Sequence, residues 1–277
     1  MIELLAPAKI NLTLRVLGKR PDGFHELESL VSPISLFDRI TLGHSETPGI
    51  AFTCDDPTLP TGDDNLAVRA ARLFCESCGF QPNISIDLAK QIPHGAGLGG
   101  GSSDAASVLL GLNELFETAL PIPALAAMAA DLGSDVPLFI YRSPATIRGR
   151  GEQVEPRSPL PELPLLLIKP PFGVPTPWAY QHWANSREIP GISYGEQALP
   201  SGTLINDLER PVFEKYIFLA LLKKWLLEQP EVVGALMSGS GSTVFAVLQH
   251  KSAGFALGER LAEHFGSNLW CYLCETV

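Results

Sequence analysis

The chain has 277 residues, of which 45% are hydrophobic and 18% are charged, and its net charge is −10. This composition is typical of a globular protein with a sizeable core, and the length allows one large domain or two smaller ones. The acidic balance argues against a nucleic-acid partner, which needs clustered Lys and Arg, and against docking on an anionic membrane.

The sequence also contains no recognisable targeting signal for export or membrane insertion. Its longest apolar runs are far shorter than the ~20 residues that a transmembrane helix needs. The first residues lack the basic and apolar regions of a secretory signal and the Arg- and Ser-rich character of a transit segment. We therefore expect a cytoplasmic protein.

The first half of the chain predicts a mixture of strands and helices. Residues 9–16 alternate polar and apolar side chains, which is typical of a half-buried strand. Hydrophobic spacing and turn signals predict further strands at 39–42, 50–53 and 83–88, and helices at 64–78, 104–115 and 122–132.

The second half repeats this mixture after a proline-rich stretch. Residues 156–164 hold four prolines and few apolar side chains, so we place a boundary there between domains 1–155 and 156–277. Beyond it the patterns predict strands at 163–168, 232–237, 243–248 and 269–273, and helices at 210–228 and 253–265. Strands and helices in both halves favour an α/β or α+β fold.

Two CxxC pairs, Cys75/Cys78 and Cys271/Cys274, raise the alternative of a four-thiolate zinc site. The second pair lies in a predicted strand, where residues three apart point to opposite faces. Reduced, buried thiols therefore explain the cysteines better, and we expect no protein-bound metal.

The most informative stretch, residues 93–106, follows a predicted strand and opens a predicted helix. It contains five glycines between positions 95 and 101. Glycines allow sharp turns that expose backbone N–H groups, and a helix start adds unpaired N–H donors, so the stretch favours phosphate binding. A structural turn stays an alternative. No Lys-Ser/Thr pair follows as in a Walker loop, and a nucleophile elbow centred on Ser103 lacks its last glycine.

Three segments of the sequence resemble the three motifs of the GHMP kinases, the family of galactokinase, homoserine kinase, mevalonate kinase and phosphomevalonate kinase. They are residues 6–12, 93–106 and 237–245. Residues 20–27, 133–137, 175–177 and 206–209 further resemble a branch of the family whose acceptor is CDP-methylerythritol. The resemblance implies an α+β fold with an N-terminal α/β domain, containing a left-handed β-α-β crossover, and a ferredoxin-like C-terminal domain, with the active site between them.

The resemblance also implies the activity and its two catalytic residues. ATP would phosphorylate the 2-hydroxyl of CDP-methylerythritol, a small molecule, in the non-mevalonate route to isoprenoids. Lys9 would stabilise the transferring phosphoryl group, and Asp135 would accept the proton of the hydroxyl. Spacing alone would make Lys9 part of a solvated strand face and Asp135 a turn or cap residue.

The remaining site residues are implied in the same way. The substrate side would comprise Asn11, Phe24, His25, Thr176 and Tyr180. The family more often has Tyr where this chain has Phe24, so an aromatic face is kept and a hydroxyl is lost. ATP, used as its magnesium complex, would contact Asn65, Lys90, Pro93, His94, Gly95, Ala96, Gly97, Leu98, Gly99, Gly100, Gly101, Ser102 and Ser103.

Other functions stay open at this point. They are a GHMP kinase of the homoserine or mevalonate type, a non-catalytic nucleotide-binding protein on the same fold, and a hydrolase that uses Ser103. The presence of both Lys9 and Asp135 argues against the non-catalytic protein, because binding alone needs neither. The sequence does not distinguish a monomer from a homodimer.

Overall fold

The structure is a computed structural model that describes residues 1–199 and 202–277. The first half comprises β1 (Ile2–Asn11), β2 (Thr13–Lys19), β3 (His25–His44), β4 (Gly49–Cys54), α1 (Leu66–Cys78), β5 (Asn83–Ala89), α2 (Gly100–Leu115), α3 (Ile122–Leu132), α4 (Val136–Tyr141), β6 (Ala145–Gly149) and β7 (Gln153–Pro156). The second half comprises β8 (Pro164–Lys169), α5 (Thr176–His182), β9 (Gln197–Leu199), β10 (Gly202–Asn206), α6 (Glu209–Lys215), α7 (Ile217–Leu227), β11 (Val232–Met237), β12 (Val244–Leu248), α8 (Ala253–Phe265) and β13 (Trp270–Glu275).

The described strands form two sheets, and β3 organises the larger one. This 20-residue strand pairs antiparallel with β1, β2, β5 and β6 along different parts of its length. Strand β10 pairs in parallel with β2, so it and β9 extend the same sheet. The smaller sheet has the order β11-β12-β8-β13.

The two sheets pack against each other, and helices cover their other faces. Alternate residues of β8 show this arrangement: Leu165 and Leu167 belong to the core between the sheets, whereas Leu166 and Ile168 pack under helices α6, α7 and α8. Helices α1 to α4 cover the larger sheet with a third core. Helices and sheets therefore form a mixed α+β structure.

Most predicted elements are confirmed, and the exceptions have local causes. The predicted helix at 210–228 is two helices, because Tyr216 adopts φ −113° and ψ 69° between them. The predicted strand at 9–16 is interrupted after Asn11, and its polar face is solvated only in part, because Lys9 and Asn11 are buried whereas Arg15 is partly exposed. Helix α2 begins at Gly100, earlier than predicted, so glycines form its first turn.

The boundary between domains 1–155 and 156–277 stays a prediction, and β9 and β10 from beyond it complete the first sheet.

The two CxxC pairs are far apart in the packing: Cys75 lies in the core under α1 and Cys274 in the core between the sheets. All five thiols are unpaired, and burial raises the pKa of the Cys274 thiol to about 12. Within the described ranges, no helix has the length and hydropathy required to cross a bilayer.

Candidate active site

A cavity of about 680 Å³ opens between the larger sheet, the glycine-rich loop and the loop that joins β11 to β12. The three resembling motifs meet in its wall: β1 contributes Lys9 and Asn11, residues 93–97 and 99–102 contribute the glycine-rich side, and Gly239 and Ser240 contribute the third side, whereas Leu98 is buried in the core between the sheets. Segments far apart in the sequence therefore form one site.

Lys9 is fixed at the centre of this site. Its side chain is buried, and Nζ donates hydrogen bonds to Asn11 Oδ1 at 2.7 Å and to the carbonyl of Gly97 at 2.9 Å. Burial lowers the pKa of the Lys9 ammonium, and the nearby Asp135 carboxylate partly offsets this by raising it. The ammonium is thus a desolvated positive charge with a defined direction.

The glycine-rich loop passes so close to neighbouring backbone that side chains do not fit. Gly97 has φ +76°, and a Cβ there would overlap the carbonyl oxygen of Ser238 and lie 2.8 Å from that of Gly241. Gly99 has φ +74°, and its Cβ would lie 2.7 Å from the Phe139 ring. These contacts explain why glycine occupies both positions.

The loop leads into the N-terminal end of α2, where backbone N–H groups lack intrahelical partners. Gly99 occupies the cap position and has no side chain to satisfy them. Ser103 is fully buried, and its Oγ has no hydrogen-bond partner among the described residues. A buried hydroxyl cannot serve as an accessible nucleophile, which argues against the hydrolase alternative.

Asp135 precedes α4 and lines the same cavity as Lys9. Its carboxylate makes no capping hydrogen bond to the helix that follows it, so the cap explanation given by the sequence pattern fails. The Asp135 carboxylate lies close to the backbone of Gly151, since a Cβ at Gly151 would be 3.3 Å from Asp135 Oδ1. The carboxylate is therefore available to a molecule in the cavity.

Aromatic side chains form the opposite end of the cavity. The rings of His25 and Tyr180 stack with centroids 5.5 Å apart, and Trp183 meets His25 edge-on at 6.2 Å. Phe24 is 50% exposed, and the Arg150 guanidinium lies 5.0 Å from its ring centroid. Tyr180 thus stacks on His25 within the protein, and the expected contacts of Phe24 and Tyr180 with a substrate base stay predictions.

Burial determines the protonation of this aromatic cluster. Desolvation lowers the pKa of His25, and the charge of Lys19 lowers it further. Burial, together with the Asp135 carboxylate, raises the pKa of the Tyr180 phenol. At neutral pH the cluster therefore offers an uncharged imidazole and a protonated phenol.

Thr176 begins α5, and its hydroxyl lies 2.7 Å from Ser240 Oγ. This contact joins the aromatic end of the cavity to the loop that contains Gly239. Sequence reasoning missed Arg150, which lines the cavity. The only local signal for Arg150 is its position between two glycines, which predicts a turn and no ligand.

The two side chains expected near the adenosine part of ATP already have protein partners. Asn65 caps α1 by accepting the Ala67 N–H at 2.9 Å and donates to the Pro60 carbonyl at 2.9 Å. Both Asn65 and Lys90 line the cavity. Their contact with ATP stays a prediction.

The Lys90 ammonium lies between two buried carboxylates. It pairs with Asp38 and, at 2.8 Å, with Asp104. Burial alone would lower the pKa of Lys90, but the two carboxylates outweigh burial and raise it. Burial and the charge of Asp38 raise the pKa of Asp104 to about 7, against the opposing charge of Lys90. The positive charge of Lys90 is therefore already neutralised by carboxylates of the protein itself.

Comparisons with known proteins agree with this geometry. The family description "GHMP kinases N terminal domain" matches residues 65–143, and "GHMP kinases C terminal" matches residues 197–267. The chain is 44% identical to a 4-diphosphocytidyl-2-C-methyl-D-erythritol kinase of Methylacidiphilum infernorum, over 100% of this chain and 97% of the relative.

Solved structures extend the agreement to three dimensions. A crystal structure of 4-(cytidine 5'-diphospho)-2C-methyl-D-erythritol kinase superposes with a TM-score of 0.81 at 36% identity and covers 100% of both chains. A homoserine kinase from Cytophaga hutchinsonii superposes with a TM-score of 0.68 at 18% identity, covering 100% of this chain and 94% of its own. The second match shows a shared fold only. The chain therefore belongs to the GHMP kinase family, in the branch of the 4-diphosphocytidyl-2-C-methyl-D-erythritol kinases.

Proposed function

We propose that this kinase transfers the terminal phosphoryl group of ATP to the 2-hydroxyl of 4-diphosphocytidyl-2-C-methyl-D-erythritol, in the non-mevalonate route to isoprenoid precursors. The observation that carries the proposal is the placement of Lys9 and Asp135 in one cavity, between a glycine-rich loop and an aromatic cluster. An anion-binding loop suits a triphosphate, and stacked rings suit a pyrimidine base.

On the ATP side, the backbone N–H groups of residues 95–102 and the start of α2 bind the phosphates. They supply positive potential without side-chain charge, which resolves how a protein of net charge −10 attracts a triphosphate. Lys9 then holds its ammonium beside the transferring group and stabilises the negative charge that spreads over it.

At the acceptor, Asp135 takes the proton of the 2-hydroxyl as the hydroxyl oxygen bonds to the terminal phosphorus. The bond from that phosphorus to the bridging oxygen breaks, and ADP leaves with the electron pair. Phosphoryl transfer needs little covalent help from a protein, so correct placement of Asp135 and charge from Lys9 provide most of the catalysis.

Asn11 orients the reaction centre through its hydrogen bond with Lys9. On the acceptor side, Tyr180 and Phe24 provide aromatic faces for cytosine, and the neutral His25 ring can exchange hydrogen bonds with its edge. Thr176, tied to Ser240, borders the same end of the cavity. Phe24 contributes stacking alone, because it lacks the hydroxyl of a Tyr.

Magnesium would be bound as part of the ATP complex. Over residues 1–199 and 202–277 the chain offers no group of three or more His, Cys, Asp or Glu side chains arranged for a metal ion. Phosphate oxygens and water are the ligands that magnesium prefers in such sites, and the ion would lower the charge of the triphosphate.

The competing functions predict a different cavity. A homoserine or mevalonate kinase has no base to bind and so no use for the stacked rings of His25 and Tyr180 in the cavity wall. A binding protein without catalysis would not need to bury an ammonium, because desolvating Lys9 costs stability.

The test is ATP turnover against a panel of three acceptors: 4-diphosphocytidyl-2-C-methyl-D-erythritol, mevalonate and homoserine. Coupled detection of ADP, with phosphorus NMR of the product, should show transfer only to the cytidine-linked acceptor. The Asp135→Asn variant controls for contaminating kinases. Efficient transfer to mevalonate or homoserine, or no transfer to any acceptor, would overturn the proposed function.

A further inference from the structure

Asn206 ends β10 and is 2% exposed, and its side-chain amide is fully hydrogen-bonded. Nδ2 donates to the carbonyl of Met237 at 2.7 Å and to that of Gly239 at 2.8 Å. Oδ1 accepts the Leu208 N–H at 2.9 Å. One amide group therefore holds the backbone on both sides of Ser238.

The segment that Asn206 holds is the one that touches the catalytic lysine. Ser238 Oγ donates a hydrogen bond to the carbonyl oxygen of Gly97 at 2.9 Å. The same oxygen accepts a hydrogen bond from the Lys9 ammonium. Gly239 packs directly on that ammonium, since a Cβ there would lie 3.2 Å from Lys9 Nζ. Asn206 itself does not line the cavity. It can act on the reaction only through this segment.

A buried ion pair supports the same segment from its other side. Glu209 Oε1 accepts the Met237 N–H at 2.9 Å, and Oε2 pairs with Lys223 at 2.5 Å. Both charged side chains are excluded from solvent. The position of Met237 is thus fixed at its N–H by Glu209 and at its carbonyl by Asn206.

We propose that Asn206 is a positioning residue for phosphoryl transfer, because the two hydrogen bonds that its Nδ2 donates set the distance between the Ser238–Gly239 backbone and Lys9. The inference rests on the proposed function for its kinetic consequence. Without the two donors, the carbonyls of Met237 and Gly239 lose their partners, the segment shifts, and the Gly97 carbonyl loses its Ser238 hydrogen bond. The Lys9 ammonium then keeps its charge, but its side chain no longer has a fixed orientation.

The test compares Asn206→Asp with the parent enzyme. The substitution keeps the shape and the acceptor for Leu208 but replaces both donors by an oxygen that faces two carbonyls. Asn206→Ser removes both amide donors, leaves only one shorter hydroxyl without adding charge, and serves where the Asp variant folds poorly. Asn113→Asp is the matched control. The Asn113 amide also joins two backbone groups, both of Leu120, but Leu120 does not line the cavity, whereas Gly239, which Asn206 holds, does.

We expect kcat to fall on the order of 30-fold in a folded Asn206 variant, the effect of losing two buried hydrogen bonds. The dissociation constant for ATP should change less than about threefold, because the glycine-rich loop is retained. The control should keep its kcat. A folded Asn206 variant with the parent kcat would overturn the inference.

A second readout does not depend on the acceptor. The side-chain amine resonance of Lys9, assigned by its loss in Lys9→Arg, should shift in Asn206→Ser and stay in place in Asn113→Asp. An unmoved Lys9 resonance would refute the positioning role even if the enzyme acts on another acceptor. A parent enzyme that phosphorylates none of the three acceptors, with a Lys9 resonance that still shifts, would reject the proposed function and leave the positioning role supported.

Discussion

Two glycines of the phosphate loop allow a sharp test of the site, because they share a backbone conformation and differ in their surroundings. Gly95 has φ +64° and Gly97 has φ +76°, so alanine at either position meets the same left-handed penalty of about 1 kcal/mol. A Cβ at Gly95 has no atom within 4 Å, whereas one at Gly97 overlaps the backbone opposite. Gly95→Ala is therefore the matched control for Gly97→Ala.

The magnitude follows from the distances. A Cβ at Gly97 would overlap the Ser238 carbonyl oxygen and lie 2.8 Å from that of Gly241, and ordinary contact begins at 3.4 Å, so the two loops must separate by about 1 Å. The carbonyl of Gly97 moves with them and takes the Lys9 hydrogen bond with it. Displacements of about 1 Å at a reacting centre cost on the order of 100-fold in rate.

The assay is kcat/KM for ATP at saturating acceptor, with thermal unfolding measured on the same samples. We expect Gly97→Ala to lose roughly 100-fold in kcat/KM and Gly95→Ala to lose less than about fivefold. Both variants should remain folded. Equal losses in the two variants would show that the close approach of the loops does not matter to the reaction.

Three other predictions follow from the site. Asp135→Asn should keep its unfolding temperature and lose on the order of 10²–10⁴-fold in kcat. The control Asp131→Asn, on the exposed side of α3, should keep its kcat. Near-normal turnover by Asp135→Asn would remove Asp135 from the mechanism. Tyr180→Ala should raise KM for the cytidine-linked acceptor about 10- to 100-fold through lost stacking, and an equal rise in KM for ATP would contradict the assignment of the aromatic end. Because burial lowers the pKa of Lys9 from 10.5 in the free enzyme and the reaction needs the charged ammonium, kcat/KM for ATP should fall on the alkaline side below pH 10.5, and a profile flat to that pH would contradict the role of Lys9.

The sequence predicted the parts of the site that depend on local chemistry. A run of glycines between a strand and a helix has few uses, so residues 93–103 were predicted to be a phosphate loop; the structure places most of them in the cavity wall, and their contact with phosphate stays a prediction. Helices α3 and α8 were predicted with their observed bounds because apolar spacing and a following glycine determine them locally.

Features that depend on distant segments were not predictable in the same way. Alternation marks Lys9 as polar, but its burial comes from a loop almost ninety residues away and another beyond residue 230. The break at Tyr216 follows from packing of α6 and α7, which periodicity does not encode. Lys90 looks like a surface charge until β3 and α2 bring Asp38 and Asp104 to it.

The carbonyl oxygen of Gly97 receives one hydrogen bond from position 9 and another from position 238. A ribosome-bound chain that has emerged only through the glycine loop would therefore have a Gly97 carbonyl with one of its two donors and a loop with no opposing wall. Competence for ATP should arise late in synthesis, once the strands on either side of residue 238 have paired. Fragments cut between the sheets would regain activity only when both pieces are supplied together.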